Sequence, residues 1–143
     1  MPNISEYKTK TLNYIEEPQN KKLGISFIKI IDNLECGIPH TRHDIFSDKT
    51  KLSKILRTII GIKEKTLQEL IETPKASEGG SEKLNIDKLS WKDISVKNYL
   101  EKCGRDNKYF ILRAGESRII GYIQNNLFYI VCIEYNLNSI YKH

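Results

Sequence analysis

Lys108-Tyr109-Phe110-Ile111-Leu112-Arg113, Ala114-Gly115-Glu116-Ser117, Arg118-Ile119-Ile120-Gly121-Tyr122-Ile123-Gln124, Asn125-Asn126 and then Leu127 through Tyr135 form the stretch that decides the fold. β-Branched and aromatic residues crowd three runs that are separated by turn residues, which is the signature of consecutive antiparallel strands. The expectation is a β-meander. Asn125-Asn126 suits a tight primed turn, because asparagine tolerates positive φ better than any residue except glycine. Along the middle run Arg118, Ile120 and Tyr122 share one face, while Ile119, Gly121 and Ile123 share the other. A short polar tail ends the chain in Tyr141-Lys142-His143.

Upstream, residues 1–22 are polar, carry Lys8, Lys10, Lys21 and Lys22, and read as an N-terminal arm. Residues 23–31 alternate Leu23, Ile25 and Phe27 before Ile28, Ile30 and Ile31 crowd together, which predicts a strand buried on both faces. Leu23, Phe27, Ile30, Ile31 and Leu34 also fall at helical spacing, so a helix is the competing reading. Residues 34–46, with Gly37, Pro39, His40 and His43, read as a loop. Ser47 is then positioned to cap a helix with Asp48 in its first turn and apolar positions at Leu52, Ile55, Leu56, Ile59 and Ile60, stopped by Gly61. A second helix over residues 63–73 uses Leu67, Leu70 and Ile71 and ends at Pro74. Residues 74–83 lack large apolar side chains and read as a flexible loop. Residues 85–103 fit a short extended piece and a helical turn, with Trp91 pinned to the core. The resulting fold class is α+β, ordered β-α-α-(insertion)-β-β-β, with an antiparallel sheet packed on a helical hairpin and one domain over residues 23–143.

Composition narrows the function classes. The chain has 143 residues, of which 39% are hydrophobic and 29% charged, a balance that fits a folded soluble domain. No apolar run approaches the roughly 20 residues of a spanning helix, and no signal-peptide pattern opens the chain, so a cytoplasmic location without membrane association is expected. A net charge of +5 would attract a polyanion or an acidic protein. Cys36, Cys103 and Cys132 are odd in number and widely spaced, which argues against a disulfide framework. Cys36, His40 and His43 lie close in sequence, but their spacing matches no structural zinc pattern, and no metal or cofactor is expected. Residues 52–71 also have the outline of a helix-turn-helix, with Arg57 where that motif wants a small residue.

The run Arg113-Ala114-Gly115-Glu116-Ser117-Arg118-Ile119-Ile120, an apolar strand and the terminal Ile140-Tyr141-Lys142-His143 together resemble the end of RelE/ParE-superfamily toxins. The likeness covers about the last quarter of the chain and the order of elements. It implies metal-free endoribonucleolytic cleavage of mRNA, free or on ribosomes, and neutralisation by an acidic antitoxin. Under it Arg118 matches the arginine after the glycine turn and would stabilise phosphate charge with Arg113 beside it. Tyr141 and His143 would lie near the terminal carboxyl group, with Glu116 as general base. Lys108, Tyr122 and Lys142 would contact RNA, Tyr122 by stacking on a base. The meander is also similar to small prophage-type proteins, which implies instead a non-enzymatic protein binding nucleic acid or a host protein through its basic surface. On the simplest reading Arg113 and Arg118 only pair with Glu116 and Glu134 on a solvated face, Tyr122 packs in the core, and Tyr141 and His143 fray.

Overall fold

Strict alternation along the first run of the meander, seen in a computed structural model that describes residues 21–105 and 108–143, sets the layering of the whole molecule. In chain order the elements are β1 (Gly24–Ser26), a 3-10 turn (Asp44–Ser47), α1 (Lys49–Ile62), α2 (Leu67–Glu72) and β2 (Ser81–Lys83). A second 3-10 turn (Ile86–Lys88), β3 (Ser90–Trp91), α3 (Ile94–Cys103), β4 (Tyr109–Ala114), β5 (Ser117–Gln124), β6 (Leu127–Glu134) and β7 (Tyr141–Lys142) complete it. The fold is α+β. A five-stranded sheet runs β1-β6-β5-β4-β2, antiparallel except that β1 lies parallel to β6, while β3 and β7 form a separate two-stranded ladder.

Tyr109 and Ile111 of β4 enter one core cluster with Leu84, Ile86, Val96 and Leu100, so α3 and the residues before it cover that face. Leu112 and Ala114 enter a second cluster with Ile55, Ile59, Ile62 and Leu70, so α1 and α2 cover the other. The meander is thus buried on both sides. Its two hairpins are tight: Gly115 takes φ 62° at the first central position of the β4–β5 turn, and Asn125 and Asn126 take φ 52° and 61° in the β5–β6 turn, the primed geometry expected of asparagine. A bulge interrupts the β5–β6 ladder, where Ile120 pairs with Cys132 but Gly121 pairs with Ile130. Val131 is the extra residue, its carbonyl accepts from Ile31 N at 2.8 Å, and Val131 and Cys132 both join the α3-side cluster.

Several local expectations are corrected. The strand anticipated over residues 23–31 contracts to three half-buried residues at the edge of the sheet; the Ser26 hydroxyl accepts from Ile28 N at 3.2 Å and turns the chain, leaving Ile28 80% exposed. Asp48, not Ser47, caps α1, accepting from Lys51 N at 3.0 Å, while the Ser47 hydroxyl donates to Asp44 O within the preceding turn. Gly61 does not stop α1, which runs one residue further, and Leu56 and Ile60 stand 49% and 55% exposed because the buried stripe follows Ile55, Ile59 and Ile62. The second helix starts four residues late, where Thr66 and Glu69 form a reciprocal capping box.

The insertion also differs from a simple loop. Residues 81–83 are strand β2, paired with β4, and Arg113 N donates to Gly80 O at 2.9 Å. Backbone hydrogen bonds therefore order a stretch that has no large apolar side chain to bury. Trp91 packs on the α3-side cluster as expected and donates from Nε1 to Ile86 O at 2.8 Å. Of the expected arm, residues 1–20 lie outside the described residues; Lys22 forms an isolated bridge with Thr66. Among the described residues no helix is long and apolar enough to cross a membrane.

Candidate active site

Cross-strand register lines up three charged residues at one end of the sheet. Arg113 on β4 stands directly opposite Arg118 on β5, and Arg118 stands opposite Glu134 on β6. Directly opposed residues hold their Cβ atoms about 4.5–5.5 Å apart, so this row spans about 10 Å. It lies on the α3-side face, next to Ile111 and Ile120, but beyond the reach of that helix's apolar cover. At its Glu134 end it meets the C-terminal tail.

Glu134 organises that tail. Its side chain is fully buried; Oε2 accepts from Ile140 N at 3.0 Å, and Oε1 lies 2.5 Å from His143 Nε2. A charged residue at the end of the apolar run Ile130-Val131-Cys132-Ile133 thus has its partners supplied by residues only six to nine positions on. Asn138, in the left-handed conformation at φ 67°, accepts from His143 N at 2.8 Å and closes the loop. The ring centroids of Tyr141 and His143 lie 4.2 Å apart, and Trp91 meets Tyr141 edge-on at 5.7 Å. The terminus is therefore packed, not frayed: Tyr141 is 2% exposed.

The Tyr141 hydroxyl is buried and has no hydrogen-bond partner among the described residues. Burial is the main cause raising its pKa well above the ordinary phenol value; Glu134 and Glu82 add to this and Arg118 opposes it. Arg113 Nε is likewise buried without a partner. Arg118 donates from Nη1 to Gly115 O at 2.7 Å and Ser117 O at 2.8 Å, which holds its guanidinium against the hairpin. Both arginines line a cleft of about 210 Å3 with Lys75, Gly80, Glu82 and Ile111, where Lys75 and Glu82 pair at 3.5 Å.

Of the residues anticipated for chemistry, Arg113, Arg118, Tyr141 and His143 come to the same end of one face. Glu116 sits exposed in the β4–β5 turn, with no hydrogen bond or ion pair to any of them. Lys108 precedes β4 at its opposite end, about 16 Å of extended chain from Arg113. Tyr122 is 4% exposed, stacked on Tyr129 at 5.0 Å with the Arg105 guanidinium 5.1 Å from its ring, and lacks the open face that base stacking needs. Lys142 is exposed on β7, paired with Ser90. Glu134, Lys75 and Glu82 were not singled out as site residues. A glutamate closing an apolar strand was the one available signal.

The three other candidate ligands have local occupations. His43 caps the first 3-10 turn, its Nδ1 accepting from Ile45 N, while His40 Nε2 meets Glu35 Oε1 at 3.0 Å. Burial pushes the Cys36 thiol up to about 12. No family model, curated protein or solved structure matched the chain.

Proposed function

We propose that this protein is a metal-independent endoribonuclease of the kind represented by RelE/ParE-superfamily toxins, acting on mRNA and held in check by an acidic partner protein. The observation that carries the reading is the row of Arg113 and Arg118 in direct opposition beside a packed Tyr141 and His143. Like charges placed opposite one another across two strands are destabilising, so the pair is best explained by an anion that it serves to hold.

In this reading the arginines hold a phosphodiester at the cleft and neutralise the charge that grows on phosphorus as the neighbouring 2′-hydroxyl attacks. Tyr141, buried at 2% exposure, packs its ring against that of His143 at 4.2 Å and holds the imidazole in place, without touching the substrate itself. His143, oriented by the Glu134 carboxylate, exchanges the proton between the attacking and leaving oxygens. The bond from phosphorus to the 5′-oxygen breaks, leaving a 2′,3′-cyclic phosphate and a free 5′-hydroxyl. The net charge of +5 suits both the RNA and an acidic inhibitor.

Expression in bacteria tests the proposal. Wild-type protein should arrest growth, and Arg118→Ala should relieve the arrest while folding normally, since loss of one charge-stabilising group slows such a step by roughly 10² or more. Growth unaffected by wild-type protein, with RNA bound but intact in vitro, would favour a non-enzymatic nucleic-acid-binding protein.

A further inference from the structure

On the opposite face of the sheet, a cleft of about 420 Å3 opens between α1 and the turn that leads into β2. Its floor is apolar, built from Ile62, Leu70 and Leu112, each 1% exposed. Gly61 lies at its edge, and a Cβ there would meet nothing within 4 Å. The missing side chain keeps the mouth open. Lys54, Arg57 and Lys65 supply the charged lining.

These cations differ in their engagement. Lys65 Nζ donates to Thr73 Oγ1 at 3.1 Å and approaches Gly79 O at 3.4 Å, and burial lowers its pKa. The side chains of Lys54 and Arg57 make no hydrogen bond or ion pair among the described residues; the Lys54 carbonyl accepts from Thr58 Oγ1 at 2.8 Å. The one acid of the cleft, Glu78, is occupied by Gly115 N at 2.9 Å and 3.2 Å. A shallower groove lined by Lys49, Ser53, Lys54 and Arg57 continues the positive stripe along α1. The volume falls in the roughly 300–1,000 Å3 range of small-molecule sites, and an apolar floor with a few polar groups at one side is their usual chemistry.

We propose that this cleft binds an organic anion, with an apolar or aromatic body on the Ile62–Leu70–Leu112 floor and its phosphate, sulfonate or carboxylate headgroup between Lys54 and Arg57. The site is separate from the Arg113–His143 cluster, which lies across the sheet, and does not depend on it. Two free cations give the headgroup its attraction, and the floor supplies the burial.

The test is titration of the full-length protein with 8-anilinonaphthalene-1-sulfonate, followed by fluorescence. Saturable binding at one site per chain is expected. The Lys54→Glu/Arg57→Glu double variant should weaken it by roughly tenfold or more, and the uncharged N-phenyl-1-naphthylamine should bind the wild type weaker by a similar factor. Gly61→Leu, which fills the mouth from within a helix that tolerates leucine well, should abolish binding with the far-ultraviolet circular dichroism unchanged. Displacement by adenosine 5′-monophosphate or by decanoate would each support the site, the first assigning the body to a base and the second to an alkyl chain. No saturable binding, or binding indifferent to charge reversal and equal for the uncharged probe, would overturn the proposal.

Discussion

Replacing Glu134 by alanine should loosen the C-terminal tail as a unit. The carboxylate is fully buried and accepts from Ile140 N at 3.0 Å, so its removal strands a backbone donor inside the protein. An unsatisfied buried amide costs about 1–3 kcal/mol. The same change removes the partner of His143, whose side chain is 20% exposed and so can turn to water, which keeps this second loss toward the low end for a broken pair. The sum is about 4–6 kcal/mol. Glu134→Gln keeps an acceptor for Ile140 N and gives up the charge, so about 1–2 kcal/mol is expected. Urea unfolding followed through Trp91 is well suited to the assay, because Trp91 is the single tryptophan and packs edge-on against Tyr141 of the tail. Equal costs for the two variants, or a cost below about 1 kcal/mol for alanine, would refute the assignment of Glu134 as the tail's anchor.

Two further outcomes are expected. Gly121→Ala should destabilise by about 3 kcal/mol or more, measured by the same unfolding assay, because a Cβ there collides with Tyr129 O and the Phe128 ring at the bulge; a loss under about 1 kcal/mol would contradict the packing described. On the alkaline side, stability should fall as the pH rises from about 9 toward 12. Burial raises the pKa of the Tyr141 phenol and carries Tyr135 and Cys36 to about 12, so the unfolded chain, whose groups ionise at their ordinary 10.0 and 9.0, releases those protons first. An unfolding midpoint unchanged between pH 8 and 11 would contradict this.

What could be read from residues alone followed from local chemistry. The three strands of the meander, the Asn125-Asn126 turn and the two helices each rest on alternation, turn preference or helical spacing within a few residues. What escaped depends on partners distant in the chain. β2 forms because β4 offers it a backbone edge, so its lack of apolar side chains did not matter. β1 stops early because Ser26 turns the chain, although three isoleucines beyond it favour extension. The cluster of Arg113, Arg118, Tyr141 and His143 was legible as a set of residue types. Glu134 was legible as an acid across the sheet from the arginines, and the register sets it opposite Arg118; its burial and its hold on the tail were not, because an acid in an apolar strand does not name partners in a loop that follows.

The central claim is that the opposed arginines hold a phosphodiester for cleavage. It is tested most directly by incubating purified protein with mRNA in excess chelator and assaying for 2′,3′-cyclic phosphate ends. Wild-type protein should generate them, and Arg113→Gln/Arg118→Gln, with unchanged Trp91 emission, should generate at least roughly 10² fewer per unit time. Equal yields from the two proteins, or none from the wild type, would contradict the account.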